Sequence, residues 1–419
     1  MPILPSHRAE AAVWAMFLLV VAGAASAALV LKNAPAPAGT GPDLAARSIV
    51  GKYPYYGPTD GAGIYAACLP ATGNDASTCY TVHLNALLDA KGSEAAFQAL
   101  ENMSGMDAYL YDQAHAMAHE LGRHAFEAYG SVGYALQTCS YRVFGGCFHG
   151  VLQNYFDSLG RPVEGRDVVT ACPDGTAFAR YTCLHGLGHG LMLNTNYNLN
   201  ASLDLCAALT DWFARSSCEG GVFMENWVGY LDSVSPTAAG GHNHNHGPGG
   251  SELPPPQFFI KAGDPFYPCN IVQPVERRDT CWVMQTSIML YFNGNNFQEA
   301  AANCAKAPDH MSSCFRSLGR DTMVYTHRDM SQVEFICSYE EVGRADCIRG
   351  YIAPLVEDVS DPNVGLAACV QAQEIDKDPC YMETGLNAFY MGGEAEAREI
   401  CAKAEAGHEA ACLSQTGLK

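Results

Sequence analysis

The sequence predicts an all-α fold: about ten helical hairpins forming a solenoid, open or curved into an α/α toroid, with nine hairpins stapled by short-range disulfides. Three observations predict it. The cysteines fall into nine close pairs, 68/79, 139/147, 172/183, 206/218, 269/281, 304/314, 337/347, 369/380 and 401/412, whose first members recur from Cys139 at steps of 33, 34, 63, 35, 33, 32 and 32. Ala-rich stretches such as residues 201–209 and 394–403 carry the first cysteine of a pair on one helix, A. A short turn with Pro, Asp or Gly follows, and the second cysteine opens a second helix, B, as in residues 312–326. Finally, the period-2 alternation of strands is sparse.

In such a repeat, bridging of nearest neighbours is the economical connectivity. Closing a loop of roughly ten residues stabilises each hairpin by about 2–3 kcal/mol. One period before Cys139 stand Met106 and Met117, read as a tenth pair in which apolar sulfur side chains replace the bridge.

Taken in order, residues 1–32 form an export segment. Arg8 precedes an uncharged run over 11–31, and Ala25-Ser26-Ala27 fits a small-residue cleavage site. The run is read first as a cleaved signal peptide; it is also long enough for an uncleaved anchor holding the protein to a membrane. Either way the rest of the chain is exported, into the periplasm, into the medium, or anchored outside the cytoplasm. Eighteen cysteines, an even number, fit that oxidising setting. Residues 33–57 read as a flexible Pro/Ala/Gly linker, and 58–419 as the repeat domain. Composition places a surface loop at about 229–261, where His242, His244 and His246 form a His-x-His-x-His tract before Pro254-Pro255-Pro256. That tract is either an accessory metal-capture arm or a spacer. A formal charge of −20 argues against nucleic acid and anionic lipid surfaces as partners.

Stacking the repeats on the second cysteine sharpens the reading. Two residues past it stand His119, His149, His185, Arg316 and Arg349; six residues past it stand Arg123, Gln153, His189 and Arg320. Three consecutive B helices thus carry histidine at one equivalent position. His115 lies one turn before His119, and His189 one turn after His185, on shared faces. Adjacent helices pack about 8–10 Å apart, so His149, His185 and His189 form the expected core of a site. His119 and His115 join if the array curves enough. Imidazole is a common ligand of zinc, copper and iron, and bridged cysteines offer no thiolate. The competing reading is a set of buried histidines hydrogen-bonding along Gly-rich helices.

Other patterns are less specific. His119-Glu120-Leu-Gly-Arg-His124 spells a zinc-peptidase-like motif, but five residues turn an ideal helix by about 500°, leaving the imidazoles about 140° apart. Arg316, Arg320 and Arg349 continue the histidine face and either bind an anionic substrate group or pair with the chain's own carboxylates. The expectation is an exported metalloprotein, whose catalytic form would be a metal-dependent hydrolase or oxidase. The alternative is a non-enzymatic scaffold binding a protein or peptide on its concave face.

Overall fold

The computed structural model describes residues 61–72, 74–106, 108–139, 146–172, 175–234, 256–307, 309–326 and 328–418. The expected export segment, the linker and His242, His244 and His246 lie outside the described residues.

Among the described residues the chain is all-helical. The helices are α1 (Gly61–Cys68), α2 (Asn74–Lys91), α3 (Ser93–Ser104), α4 (Ala108–Tyr129), α5 (Val132–Thr138), α6 (Gly146–Ser158), α7 (Gly165–Ala171), α8 (Ala177–Asn194), α9 (Leu199–Cys206) and α10 (Trp212–Val234). After the loop come α11 (Arg278–Trp282), α12 (Gln285–Phe292), α13 (Phe297–Cys304), α14 (Met311–Tyr325), α15 (Met330–Cys337), α16 (Arg344–Val359), α17 (Pro362–Gln371), α18 (Glu374–Cys401) and α19 (Glu409–Leu413). No helix among the described residues is long and apolar enough to cross a membrane.

All nine bridges join nearest neighbours, with Cα–Cα distances between 5.3 Å (Cys304–Cys314) and 5.8 Å (Cys68–Cys79). They fit an oxidising environment. Of the two methionines expected to replace a bridge, Met117 is buried while Met106 is 45% exposed, so only Met117 fills a core place.

The A helices start at a fixed distance from their cysteine. Ser131, Glu164, Asn198, Asn296, Asp329 and Asp361 each stand eight positions before Cys139, Cys172, Cys206, Cys304, Cys337 and Cys369. Each is the N-cap of its helix, accepting a backbone N–H in the first turn. The same place before Cys401 is Gly393, whose φ of 74° breaks α18, so that residues 394–401 are the next A helix joined end to end to a B helix.

The B helices pack in succession, α4 on α6, α6 on α8, α8 on α10, and later α12 on α14, α14 on α16 and α16 on α18. The array bends far enough that α8 also touches α18. Reciprocal glycine notches set how closely neighbours approach. A Cβ at Gly122 would overlap the Cys147 carbonyl, and one at Gly150 the His119 carbonyl. Gly188 and Gly221 pair in the same way between α8 and α10, and Gly319 and Gly350 between α14 and α16. Glycine costs about 1 kcal/mol in a helix, and here that cost is offset by backbone-to-backbone contact. Phe156, Phe315, Tyr351 and Tyr381 are among the largest fully buried side chains.

The fifth stapled hairpin is irregular. Cys269 sits in turns, and its partner helix is split into α11 and α12. The preceding helix, α10, runs to Val234, past residue 229 where composition starts the loop. Gly229 lets Tyr197 and Phe258 pack on α10, and Asn226 holds the returning chain through both backbone groups of Phe259, at 2.9 and 3.2 Å.

Candidate metal centre

His115 and His119 lie one turn apart on α4, with their Nε2 atoms 3.1 Å apart. His185 and His189 repeat the arrangement on α8, with Nε2 atoms 3.3 Å apart. His149 of α6 stands between the two pairs. Its Nδ1 is 3.2 Å from Nε2 of His119, and its ring stacks on that of His189 at 4.3 Å between centroids. Two triads result, His115/His119/His149 and His149/His185/His189, each with one ligand atom per residue within 4.8 Å of the others. The glycine notch at Gly150 brings α6 against the His119 backbone, and Gly186 of α8 accommodates the His149 ring. Sequence register brought the right side chains to one face; the notches bring them within reach of one another.

The burial of these imidazoles sets their charge. His149 and His189 are each 2% exposed and His185 7% exposed. Loss of solvation, followed by the neighbouring histidines, holds His149 and His185 well below the ordinary imidazole value. Loss of solvation brings His189 to about 3. All three are therefore neutral at pH 7, the form that binds metal.

Neighbouring side chains decide which nitrogen is free. His189 donates Nδ1–H to Oε2 of Glu225 at 2.6 Å, and Tyr197 donates its hydroxyl to Oε1 of Glu225 at 3.1 Å. Neutral His189 thus carries its lone pair on Nε2. Tyr197 is placed by a left-handed turn after α8, where Asn196 and Tyr197 have φ of 54° and 60°, costly values for a bulky residue. On the other side, the Gln153 amide lies 3.3 Å from Nδ1 of His119. The amide nitrogen is the atom placed there; turned so that its oxygen accepts from Nδ1–H, the amide would put the His119 lone pair on Nε2. Nδ1 of His185 is buried without a well-formed hydrogen bond, and the Ser217 backbone is the polar group that acts on it.

Two nitrogens that each sit about 2.0–2.1 Å from a tetrahedral ion stand roughly 3.3 Å apart. Both helical pairs meet that spacing. Zinc, copper and iron all accept such a donor set.

The remaining sequence candidates have other partners. Arg316 and Arg349, at the register place of His119, His149 and His185, converge on buried Glu383 at 2.6 and 2.9 Å. Burial pushes Glu383 up, but the two guanidinium groups outweigh it and hold the carboxyl below its usual value. Arg320 donates to the Val283 carbonyl, the Met284 sulfur, Ser287 and Asp321, at 2.6 to 2.9 Å. His124 bonds Asp89 at 2.8 Å and belongs to neither triad, so the His-Glu-x-x-x-His spelling assembles no site. Cys68, Cys79 and His83 also lie close together, but the two cysteines are bridged and offer no thiolate.

Three residues beside the cluster escaped the sequence reading. At the place of Glu225, seven past the second cysteine, other repeats carry Asn154 and Asp321. At the place of Tyr197, nine before the first cysteine, they carry Gly130, Asn295, Arg328 and Ser360, so the register marks a polar place and a turn but not this Glu–Tyr pair. Gln153 had a signal of its own: it fills the place in its repeat that His189 fills two helices on. Tyr181 lies one turn before His185, with ring centroids 5.6 Å apart. Burial and the Glu357 carboxylate raise its hydroxyl, and Arg320 opposes them. Burial also pushes Glu357 itself up to about 8, with Glu383 adding and Arg316 opposing. The bend that joins α8 to α18 thus brings Arg320 within electrostatic range of His185, and Glu357 within range of Tyr181.

No known protein family, curated protein or solved structure matches this chain.

Proposed function

We propose that this protein is an exported metalloprotein that binds a transition metal, zinc, copper or iron, through the histidines of α4, α6 and α8. One observation carries the reading: Glu225 fixes the proton of His189 on Nδ1 and thereby aims a free Nε2 at His185, one turn away. A carboxylate behind a ligating imidazole is a common arrangement of metal sites, because it fixes the tautomer and raises ligand basicity. Histidines buried only for packing need no such convergence of lone pairs. The nine bridges and the apolar N-terminal run support export, to the periplasm, the medium or a membrane anchor.

An ion held by three neutral imidazoles with an open coordination position suits a hydrolase or an oxidase. Beyond Glu225 and Tyr197, Tyr181 lies 5.6 Å from the His185 ring and could hold a proton for such chemistry, with Glu357 acting on it and itself kept largely protonated at neutral pH by burial.

The test is elemental analysis of untagged protein purified from an oxidising compartment. Wild type carries stoichiometric metal, and the double variant His185→Ala, His189→Ala loses it with the disulfides intact. His310→Ala and His408→Ala serve as controls, since those side chains pair with Asp279 and Asp378, each at 2.7 Å. A wild type without metal after careful repletion overturns the reading and leaves the scaffold on a concave face in its place.

A further inference from the structure

We infer that the cluster takes two transition-metal ions, with His115 and His119 chelating one, His185 and His189 the other, and His149 shared between them. This rests on the metal-binding reading above and specifies its stoichiometry. Five imidazoles exceed what one tetrahedral ion takes. They are also divided: each helical pair forms its own chelate, at 3.1 Å on α4 and 3.3 Å on α8.

Each pair has its own support from a side chain behind it. Gln153 stands behind His119 and Glu225 behind His189. The two supports come from different helices, α6 and α10, so the halves are built independently.

His149 is the one residue common to both triads. Its ring orientation assigns one nitrogen to each side. Nδ1 points at Nε2 of His119 on α4, at 3.2 Å. The opposite edge meets α8, where Cδ2 lies 2.9 Å from the place a Cβ on Gly186 would take. Nε2 is bonded to Cδ2 and so lies nearer that edge than Nδ1 does. A ring nitrogen of His149 lies within 4.8 Å of ligand atoms of His185 and His189, and sharing an ion with them requires the ring to tilt out of its stack on His189. A side chain at residue 186 would push that edge away, which ties the glycine to the shared ligand. Bridging through both nitrogens displaces the ring N–H proton to solvent, leaving a ring that carries one negative charge between two cations.

The experiment uses the full untagged chain with native disulfides, in which His242, His244 and His246 are replaced by alanine so that the loop tract takes no metal. The protein is loaded separately with Zn2+ and Cu2+, freed of loosely held ion, and assayed for metal per chain. Copper samples are also examined by electron paramagnetic resonance. The expected result is two ions per chain, with a copper signal that integrates to fewer spins than copper atoms, because the shared ring couples them. The variants His115→Gln, His119→Gln and His185→Gln, His189→Gln keep polar side chains in place. Each should retain one ion with a full, uncoupled signal. One ion in the parent overturns the two-ion inference and leaves the metal reading standing. No ion in the parent overturns both. Two uncoupled copper signals in the parent overturn the sharing of His149. Unchanged disulfide maps and far-UV circular dichroism establish that the variants fold.

Discussion

Glu225 on α10 and His189 on α8 meet at 2.6 Å, both almost fully buried, although 36 residues separate them in sequence. The contact gives His189 a fixed tautomer. Replacing Glu225 with leucine removes it, and metal binding should weaken by about 10–100-fold, the usual effect of losing the partner behind a ligating histidine. Glu225→Gln keeps an acceptor oxygen and should lose less. Competition against a chelator of known affinity measures both, and equal affinities for wild type and Glu225→Leu would contradict the assigned role.

Stability of the metal-free protein should fall as pH drops below about 6.5. In the unfolded chain the imidazoles titrate near that value. In the folded chain His149 and His185 sit well below it and His189 near 3. Between those limits the unfolded state binds more protons, so each such histidine costs up to about 1.4 kcal/mol per pH unit as pH falls. Denaturant midpoints at pH 7.5 and 5.5 test this. The His185→Gln, His189→Gln variant should show a shallower decline, and an unchanged slope would speak against buried neutral imidazoles.

Glu357 works in the opposite direction. Its folded pKa of about 8 lies above the ordinary carboxylate value, so the folded state binds the extra proton and loses stability as pH rises from about 4.5 to 8. Glu357→Gln supplies a permanently neutral isostere. It should raise the melting temperature at pH 8.5 more than at pH 5.5. Equal shifts at the two pH values would remove the case for a protonated Glu357.

The glycine notch between α4 and α6 gives a structural test. In Gly150→Ala the new methyl overlaps the His119 carbonyl, and relief of that overlap should cost about 1–3 kcal/mol. Because relief means spreading the helices, metal affinity should fall together with stability. Gly133→Ala is the control: nothing lies within 4 Å of its Cβ position. There the substitution should be neutral or stabilise by about 0.4–1 kcal/mol. Thermal melts and metal titration of the two variants distinguish notch from bystander.

The sequence made the helices, the bridges and the histidine register readable because each recurs once per hairpin. Repetition turns one weak residue preference into nine aligned ones. The caps eight positions before the first cysteine carried the same kind of signal, spread over Ser, Glu, Asn and Asp. That mixture of residue types hid it. Glu225 and Tyr197 were out of reach for a different reason. The left-handed turn recurs at Gly130, Asn295, Arg328 and Ser360, but a tyrosine at that place and its side-chain contact across 28 residues do not follow from a helical period. Likewise Arg316 and Arg349 share the histidine register, yet Glu383, 67 and 34 residues away, engages them both.

The short bridges also govern what happens when the chain is nicked. A cut inside any stapled turn, between Cys206 and Cys218 for example, leaves both fragments joined through sulfur, with the two helices of the hairpin still side by side. The molecule then shows a break only after reduction. Cuts between hairpins are different: the stretch from Cys218 to Cys269 is spanned by no bridge, so one break there divides the chain into two cross-linked halves. All five histidines of the cluster stay in the N-terminal half and Tyr181 with them, while Arg320, Glu357 and Glu383 leave with the other.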